Sequence, residues 1–284
     1  MQHIIDHIKE KKEFHNLDDS IVKEKLEKIL NNNTKLKTLI QRIEPNKLKK
    51  NKKYKELIKI VRKNLREIYG VFILDNYSKI NNHIVTLKKL KEEDDKKYLA
   101  IRILSVHKST QERLPFYTEI YKKIFAITGK PKTILDLGCG LNPFSYFFLG
   151  CRPNYIATDL NEKDLIPIQR FFEIEKINGY TIAINLTKDY DTLKKMDKVD
   201  VCFVFKLFDS LEKTKFNVTE NVIQNLNASY VIVSFPTRSL GGKKPIKKEK
   251  RAWFERILKK NNYTYTTFEV SNEFFYVINK DNIN

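Results

Sequence analysis

Cysteine, tryptophan and long apolar runs are scarce in this chain of 284 residues. The three cysteines, Cys139, Cys151 and Cys202, form no Cys-x-x-Cys pair and lie near no pair of histidines. This pattern argues against a disulfide framework and against a zinc site. No run of eighteen apolar residues occurs, and the first residues lack the apolar core of a secretory signal. We therefore expect a cytoplasmic protein with no membrane association and no bound metal.

Acidic residues are also few relative to basic ones. The chain has 35 Asp and Glu residues against 54 Lys and Arg residues, which gives a formal net charge of +19. Because 41% of the residues are hydrophobic, the chain can bury cores and is not a disordered polycation. These two properties predict a folded protein with a basic surface and a polyanionic partner.

Glycine and proline are nearly absent from the first third of the chain, where Gly70 and Pro45 are the only examples. Aliphatic residues recur there at spacings of three and four, which predicts amphipathic helices over residues 20–30 and 48–69. We expect an all-helical domain over residues 1–105, followed by a second domain over residues 106–284.

More than half of the net positive charge falls in the predicted helical domain. Its densest group of lysines is either a solvated helix face or a surface that contacts phosphates. The candidate RNA-binding lysines in this group are Lys47, Lys49, Lys50, Lys52 and Lys53.

From residue 132 onward, the pattern changes to short β-branched runs separated by helical segments. The run from Lys132 to Asp136 predicts a buried strand that ends in a loop at Gly138, Cys139 and Gly140. A second short strand ends at Asp159. Its spacing in sequence after the glycine loop is about that at which dinucleotide-binding folds place the carboxylate that binds ribose hydroxyls. Together these features predict a nucleotide-like ligand at the carboxyl ends of the strands.

The complete pattern predicts an α/β fold with seven strands. We expect them at residues 133–137, 154–158, 180–185, 199–205, 230–235, 263–269 and 273–279. The first five are separated by helices and should be parallel, while the last two form a hairpin. This is the Rossmann-like sheet of class I S-adenosylmethionine-dependent methyltransferases rather than a dehydrogenase fold. The loop agrees, because it lacks the third glycine that a pyrophosphate site requires.

The segment before the first strand contains two further candidate site residues, Arg113 and His107, and a helix-start signal. Ser109 and Glu112 have the spacing of a capping box, which predicts a helix start. Arg113 in the first turn of that helix is either a surface charge or a bidentate clamp for a ligand carboxylate. His107 is either a structural histidine or a contact to substrate.

Several strings of residues resemble one known family. They are Lys108–Leu114, Ile134–Pro143, Phe205–Leu207, Val233–Gly242 and Ala252–Glu255. Their order and spacing resemble the aminoglycoside-resistance 16S ribosomal RNA (guanine-N7) methyltransferases over about residues 105–280. The most specific string is Ser-Phe-Pro-Thr-Arg-Ser-Leu-Gly-Gly at residues 234–242.

The resemblance implies roles for individual residues around S-adenosylmethionine. It assigns Arg113 to the methionine carboxylate, the glycine loop to the amino-acid part, Asp159 to the ribose, and Asn185 to the adenine, where the family often has aspartate. The complete implied cofactor set is Arg113, Asp136, Gly138, Cys139, Gly140, Asp159, Leu160, Asn185, Leu186 and Phe205.

The resemblance also implies a set of residues on the substrate side. Lys206 and Arg238 become candidate catalytic residues, and Arg238 is in addition a candidate contact to RNA. Trp253 either packs in the core or stacks on a base. The remaining candidate RNA contacts outside the lysine group are His107, Lys243 and Lys244.

The implied partner is 16S rRNA within the 30S ribosomal subunit, with a guanine of the decoding site as target. Methylation of guanine N7 needs no general base, which agrees with the lack of a convincing nucleophile in the sequence. No Pro-Cys pair supports cytosine C5 methylation, and no Asn/Asp-Pro-Pro-aromatic string supports adenine methylation. Two alternatives stay open: a non-catalytic RNA-binding or ribosome-assembly protein on the same fold, and a methyltransferase with another RNA or small-molecule target.

Overall fold

We analysed a computed structural model of the chain, which describes residues 1–43, 45–68, 78–238, 245–246 and 251–283. The contacts divide the chain into two units, Met1–Tyr77 and Ser78–Asn284. The predicted boundary after residue 105 differs from this division. The helices between residues 78 and 104 pack against elements of the second unit, so they are counted with the sheet.

The described part of the first unit is helical, as predicted. Its helices are α1 (Gln2–Lys9), α2 (Asp19–Asn31), α3 (Thr34–Arg42), α4 (Pro45–Leu48) and α5 (Lys52–Ile68), with a 3-10 turn at Lys12–Phe14. In α2 the apolar side chains of Val22, Leu26 and Leu30 recur at a spacing of four and are buried. A matching apolar stripe on α5 contributes to the same core.

The second unit is a seven-stranded sheet with helices on its faces. Its helices are α6 (Ser78–Leu87), α7 (Glu93–Leu104), α8 (Lys108–Arg113), α9 (Tyr117–Thr128), α10 (Glu162–Ile174), α11 (Tyr190–Lys195), α12 (Phe208–Thr214), α13 (Val218–Asn225) and α14 (Ala252–Lys260). Its strands are β1 (Thr133–Leu137), β2 (Asn154–Asp159), β3 (Gly179–Ala183), β4 (Val199–Phe205), β5 (Ala228–Pro236), β6 (Tyr263–Val270) and β7 (Glu273–Ile283). Short 3-10 segments lie at Leu114–Phe116 and Asn142–Phe148.

The strand order is β3-β2-β1-β4-β5-β7-β6. The first five strands are parallel, and β7 runs antiparallel to both β5 and β6. The seven strands and the terminal hairpin are therefore confirmed. Because the chain order reverses between β1 and β4, a crevice for a ligand is expected at the carboxyl ends of these two strands.

The central strands are buried on both faces, as their β-branched and aliphatic sequences require. In β4, six of the seven residues are buried. Among the described residues, no helix is long and apolar enough to cross a membrane.

Candidate active site

The loop after β1 is shaped by two glycines in the left-handed region. Gly138 has φ +59° and Gly140 has φ +50°. A Cβ on Gly138 would lie 2.8 Å from two carbons of the Leu207 side chain, so a side chain cannot fit without displacing Leu207. The backbone N–H of Cys139 donates to the carbonyl of Thr158 at 2.8 Å. The loop is thereby held against the carboxyl end of β2.

Asp159 at the end of β2 holds the same loop from the side. Its two carboxylate oxygens accept hydrogen bonds from the backbone N–H of Gly140, at 2.9 Å, and of Leu160, at 2.7 Å. The side chain is partly exposed, and burial raises its pKa against the opposing effect of these N–H donors. The backbone N–H of Asn161 is a third donor to this carboxylate, which has about four acceptor positions and so retains capacity for a ribose hydroxyl.

Asp136, by contrast, is only 1% exposed and lies beneath the loop. It accepts hydrogen bonds from the Asn142 side chain at 2.9 Å and from the Tyr155 hydroxyl at 2.7 Å. Burial raises its pKa to about 6, although both hydrogen bonds oppose that rise. The Tyr117 hydroxyl donates to the other end of the Asn142 amide at 3.0 Å. Asp136 thus supports the loop from below, and its predicted direct contact with a cofactor stays a prediction.

Arg113 is the buried cation of the site, only 3% exposed. Its Nε donates to both carboxylate oxygens of Glu273, at 3.0 and 2.9 Å, and its guanidinium lies 4.8 Å from the Phe205 ring centre. Burial disfavours its charge, but Glu273 and Tyr117 raise the pKa of Arg113 above its ordinary value. Its Nη2 is buried and has no hydrogen-bond partner among the described residues. Such a buried, charged donor is complementary to a ligand carboxylate.

Glu273 organises this cation, and the sequence analysis did not identify it. It is 3% exposed, accepts a hydrogen bond from the Ser234 hydroxyl, and forms an ion pair with Lys206 Nζ at 3.2 Å. Burial opposes its charge, yet Arg113 and Lys206 hold its pKa below the ordinary value. The feature of the sequence that could have identified Glu273 is its position as the first residue of β7. An antiparallel strand begins at the edge where the parallel strands end, and Glu273 pairs there with Pro236.

Lys206, one of the two predicted catalytic residues, belongs to the same buried cluster. It follows β4 directly with φ 54°, and its side chain is 8% exposed. Its Nζ contacts Glu112 at 2.9 Å and Glu273 at 3.2 Å. Glu112 therefore pairs with lysines instead of completing a capping box with Ser109. The capping-box prediction is wrong, because α8 begins after His107 and has no side-chain cap.

His107 lies beside the glycine loop. A Cβ built on Gly140 would be 3.9 Å from two atoms of the His107 ring. The ring Nδ1 is hydrogen-bonded to the Ser109 hydroxyl at 2.9 Å. Burial, followed by the charges of Arg113 and Lys206, lowers the pKa of His107 to about 3. The imidazole is therefore neutral near pH 7, so a contact to RNA would be a hydrogen bond and not a charge pair.

The remaining predicted cofactor residues lie along the ends of β2, β3 and β4. The Asn185 side-chain oxygen accepts hydrogen bonds from the backbone N–H and the hydroxyl of Thr187, at 3.1 and 2.7 Å. The acceptor that would bind an adenine amino group is thus already engaged, whereas the amide nitrogen remains a possible donor to the ring. The side chains of Leu186 and Phe205 are buried at 6% and 8% exposure, and Leu160 is partly exposed.

The loop after β5 is described up to Arg238 and again at Pro245. These two residues form an isolated antiparallel bridge, and Arg238 is exposed. Trp253 packs edge-on against Phe235 at 6.0 Å between ring centres, as part of the main apolar cluster. This contact fits the packing interpretation of Trp253. Lys243 and Lys244 lie outside the described residues.

The predicted RNA-binding lysines of the first unit are all exposed. Lys47 and Lys49 flank the end of α4, and Lys52 and Lys53 begin α5. Lys49 forms an exposed ion pair with Glu10 at 2.9 Å. Lys50 lies between the two helices. In the described part of the chain, no group of three His, Cys, Asp or Glu side chains could hold a metal ion.

The fold and this site define a class I S-adenosylmethionine-dependent methyltransferase. The sheet order, the glycine loop, the acidic end of β2 and a buried donor that fits a carboxylate all occur at one crevice. More particularly, the chain belongs to the family described as ribosomal RNA methyltransferase (FmrO), whose model matches residues 37–277.

Individual relatives support this membership. The chain is 27% identical over 231 residues to the 16S rRNA (guanine(1405)-N(7))-methyltransferase of Frankia casuarinae, covering 79% of this chain and 80% of the relative. It is 30% identical over 203 residues to the Proteus mirabilis protein of the same name, covering 66% and 71%. Among solved structures, the 16S rRNA methyltransferase RmtF in complex with S-adenosyl-L-homocysteine has a TM-score of 0.75 at 24% identity, covering 98% of this chain and 97% of that one. The similarity to the RmtF structure shows that this chain and RmtF share a fold.

Proposed function

We propose that the protein transfers a methyl group from S-adenosylmethionine to N7 of a guanine in the decoding site of 16S rRNA, within the 30S subunit in the cytoplasm. The observation that carries the proposal is that the glycine loop, Asp159 and Arg113, whose Nη2 has no partner in the described part of the chain, lie at the carboxyl ends of the central strands. The choice of RNA and base follows the activity for which these relatives are named.

The residues of the crevice fit the parts of the cofactor. Arg113 Nη2 would bind the methionine carboxylate, Asp159 would accept hydrogen bonds from the ribose hydroxyls, and Asn185 with Leu186 would border the adenine. S-adenosylmethionine supplies an activated methyl group on a positively charged sulfur. Glu273 keeps the Arg113 guanidinium in place, because it binds Nε and leaves Nη2 for the ligand.

The protein's contribution to the reaction is positioning rather than proton transfer. Guanine N7 is a neutral lone pair, so no side chain has to remove a proton before the methyl group is transferred. The catalytic residues must hold N7 in line with the bond from sulfur to the methyl carbon, and must stabilise the positive charge that develops on the base. Arg238, exposed after β5, is the candidate contact to the guanine or a flanking phosphate. Lys206 is 8% exposed and supports the carboxylate cluster.

The target guanine has to leave its helix before it can enter the crevice. N7 faces the major groove, and the major groove of an RNA helix is too deep and narrow for side chains to reach into. Turning the base out of the stack costs a few kcal/mol, which contacts with the neighbouring nucleotides must offset.

Two measurements test this function in sequence. Calorimetry with S-adenosylhomocysteine should show binding, whereas no binding would favour the non-catalytic ribosome-assembly protein. Incubation of 30S subunits with radiolabelled cofactor, followed by borohydride and aniline cleavage, should cut the RNA at a decoding-site guanine. Label incorporation without that cut would favour another target base. The same assay with transfer RNA tests whether the substrate is a different RNA. If the cut occurs, expression in a susceptible bacterium should raise its resistance to aminoglycosides.

Two substitutions separate cofactor binding from substrate binding. Asp159→Ala should weaken binding of S-adenosylhomocysteine roughly 10- to 150-fold, because it removes charge-assisted hydrogen bonds worth about 1.5–3 kcal/mol. Arg238→Ala should leave that affinity unchanged and lower the rate of methylation. Equal loss of cofactor affinity in both variants would contradict the assignment of Arg238 to the substrate side.

A further inference from the structure

The turn between α12 and α13 exposes an aromatic side chain that has no role in the site described above. Phe216 is 88% exposed, and the next most exposed large hydrophobic residue among those described is Tyr98, at 61%. The residues on either side of the turn are buried, since Leu211 and Val218 are 9% and 0% exposed. The chain therefore directs one phenyl ring into solvent from an otherwise packed segment.

The backbone of this turn is held in place by several hydrogen bonds. The Glu212 carboxylate accepts from the backbone N–H of Asn217 at 3.1 Å and of Thr219 at 2.8 Å. Asn217 has the left-handed φ of 64°, and its carbonyl accepts a hydrogen bond from the Asn221 side chain at 2.8 Å. Because the turn is already ordered, a partner that binds Phe216 pays little conformational entropy.

The turn lies beside the cofactor edge of the sheet. Lys215 Nζ donates to the carbonyl of Thr187 at 2.6 Å and lies 5.2 Å from the Tyr190 ring centre. Thr187 belongs to the segment after β3 that includes Asn185 and Leu186, the residues proposed to border the adenine. The turn that carries Phe216 therefore contacts, through Lys215, the segment proposed to border the adenine, at the rim of the proposed crevice.

The charge around Phe216 indicates the chemistry of its partner. Lys213 and Lys215 precede the ring, and Lys188 lies next to Thr187; all three are exposed. The two acids nearest in sequence are both engaged: Glu212 in α12 accepts from two backbone N–H groups, and Glu220 pairs with Lys260. An exposed aromatic ring among lysines is typical of surfaces where a base stacks and the flanking phosphates are neutralised.

We propose that Phe216 stacks on a base next to the flipped guanine, with Lys213 on a flanking phosphate. When the guanine leaves its helix, its neighbours lose a stacking partner, and a ring fixed at the rim replaces that contact. Stacking of an aromatic side chain on a base contributes enough to change affinity by about 5- to 150-fold when it is removed. This inference rests on the proposed function, because it requires an RNA substrate at the same site.

Three substitutions of Phe216 test the stacking. Binding of 30S subunits, measured at one fixed salt concentration, should weaken about tenfold or more in Phe216→Ala. Phe216→Trp should restore the affinity, whereas Phe216→Leu should not, because it keeps the apolar volume and loses the flat ring. Tyr98→Ala, which removes an exposed ring elsewhere in the second unit, should bind like the wild type. Melting temperature and affinity for S-adenosylhomocysteine should be unchanged in every variant.

The outcomes distinguish failure of this inference from failure of the proposed function. If Phe216→Ala binds 30S subunits with wild-type affinity, the stacking proposal is overturned, but the proposed methylation of the subunit is not. Wild-type affinity in Phe216→Leu would mean an apolar contact with a ribosomal protein, and would overturn stacking on RNA. If the wild-type protein does not methylate 30S subunits at all, the proposed function fails first, and that result comes from the cleavage assay rather than from these variants.

Discussion

At the scale of single residues, the site depends on a buried carboxylate that holds two cations. Glu273 contacts Arg113 and Lys206, and all three side chains are less than a tenth exposed. A buried ion pair adds little stability over an apolar pair of the same shape, but removal of one partner leaves an uncompensated charge. The arrangement is therefore better explained by orientation of the Arg113 guanidinium than by stability.

Glu273→Gln should weaken binding of S-adenosylhomocysteine, because an amide holds the guanidinium less firmly. We expect an affinity loss of roughly 10- to 150-fold, from charge-assisted hydrogen bonds worth about 1.5–3 kcal/mol. Methylthioadenosine, which lacks the amino-acid part, should bind wild type and variant alike. Equal losses for both ligands would indicate general damage to the crevice and would contradict a role through Arg113.

The buried Asp136 makes stability depend on pH in a defined direction. Its pKa is about 6 in the folded protein, compared with an ordinary value of 3.8. The folded state therefore retains this proton where the unfolded chain has released it. The stabilising contribution is complete below pH 3.8 and is lost as the pH rises through about 6.

Asp136→Asn should isolate that contribution, since asparagine has the same shape and does not titrate. Between pH 4 and pH 7, the free energy of unfolding of the wild type should fall by about 2.5 kcal/mol relative to the variant. Urea unfolding of both proteins at several pH values measures the difference, and other titrating groups cancel in the comparison. If the free energies of unfolding of the two proteins change in parallel with pH over this range, the pKa of Asp136 is not raised.

At the scale of elements, the glycine loop is the segment whose geometry the cofactor needs most. Gly138→Ala combines a left-handed backbone, which costs about 1–2 kcal/mol for a residue with a Cβ, with a clash against Leu207. Gly129→Ala provides a control without a clash: Gly129 has φ +74° and ψ 168°, a region essentially restricted to glycine, and no atom lies within 4 Å of an added Cβ.

Both glycine variants should lose stability by about 1–3 kcal/mol from the backbone alone. Only Gly138→Ala should also lose affinity for S-adenosylhomocysteine, because Leu207 and the loop must move apart. Thermal unfolding and calorimetry on the two proteins separate the effects. Unchanged cofactor affinity in Gly138→Ala would show that the loop tolerates the shift and does not contact the ligand closely.

Elements that are specified locally could be predicted from the sequence, and contacts between distant elements could not. The run at residues 199–205 was predicted as a strand with the bounds it has, because a β-branched segment buried on both faces is recognisable by itself. Glu273 was missed because its neighbours depend on the register of β7 against β5. The capping box failed for a similar reason, since a tertiary ion pair with Lys206 competes for Glu112.

At the scale of the whole molecule, the charge of +19 predicts how affinity for the subunit depends on salt. Each phosphate neutralised by a lysine adds about 0.7–0.9 to the slope of log affinity against log salt concentration. Lys52 and Lys53 at the start of α5 are exposed, as a phosphate contact requires.

The double substitution Lys52→Gln and Lys53→Gln should therefore lower that slope by about 1.4–1.8. Affinity for S-adenosylhomocysteine should not change, because those residues belong to a different unit from the crevice. The matched control is the double substitution Lys194→Gln and Lys195→Gln. These two lysines are exposed at the end of α11. That helix end precedes the amino end of β4 and is therefore away from the cofactor edge of the sheet. Binding of 30S subunits across a salt series measures both slopes. If the control lowers the slope as much as the test pair, the effect is one of total charge, and the lysines of the first unit form no particular RNA surface.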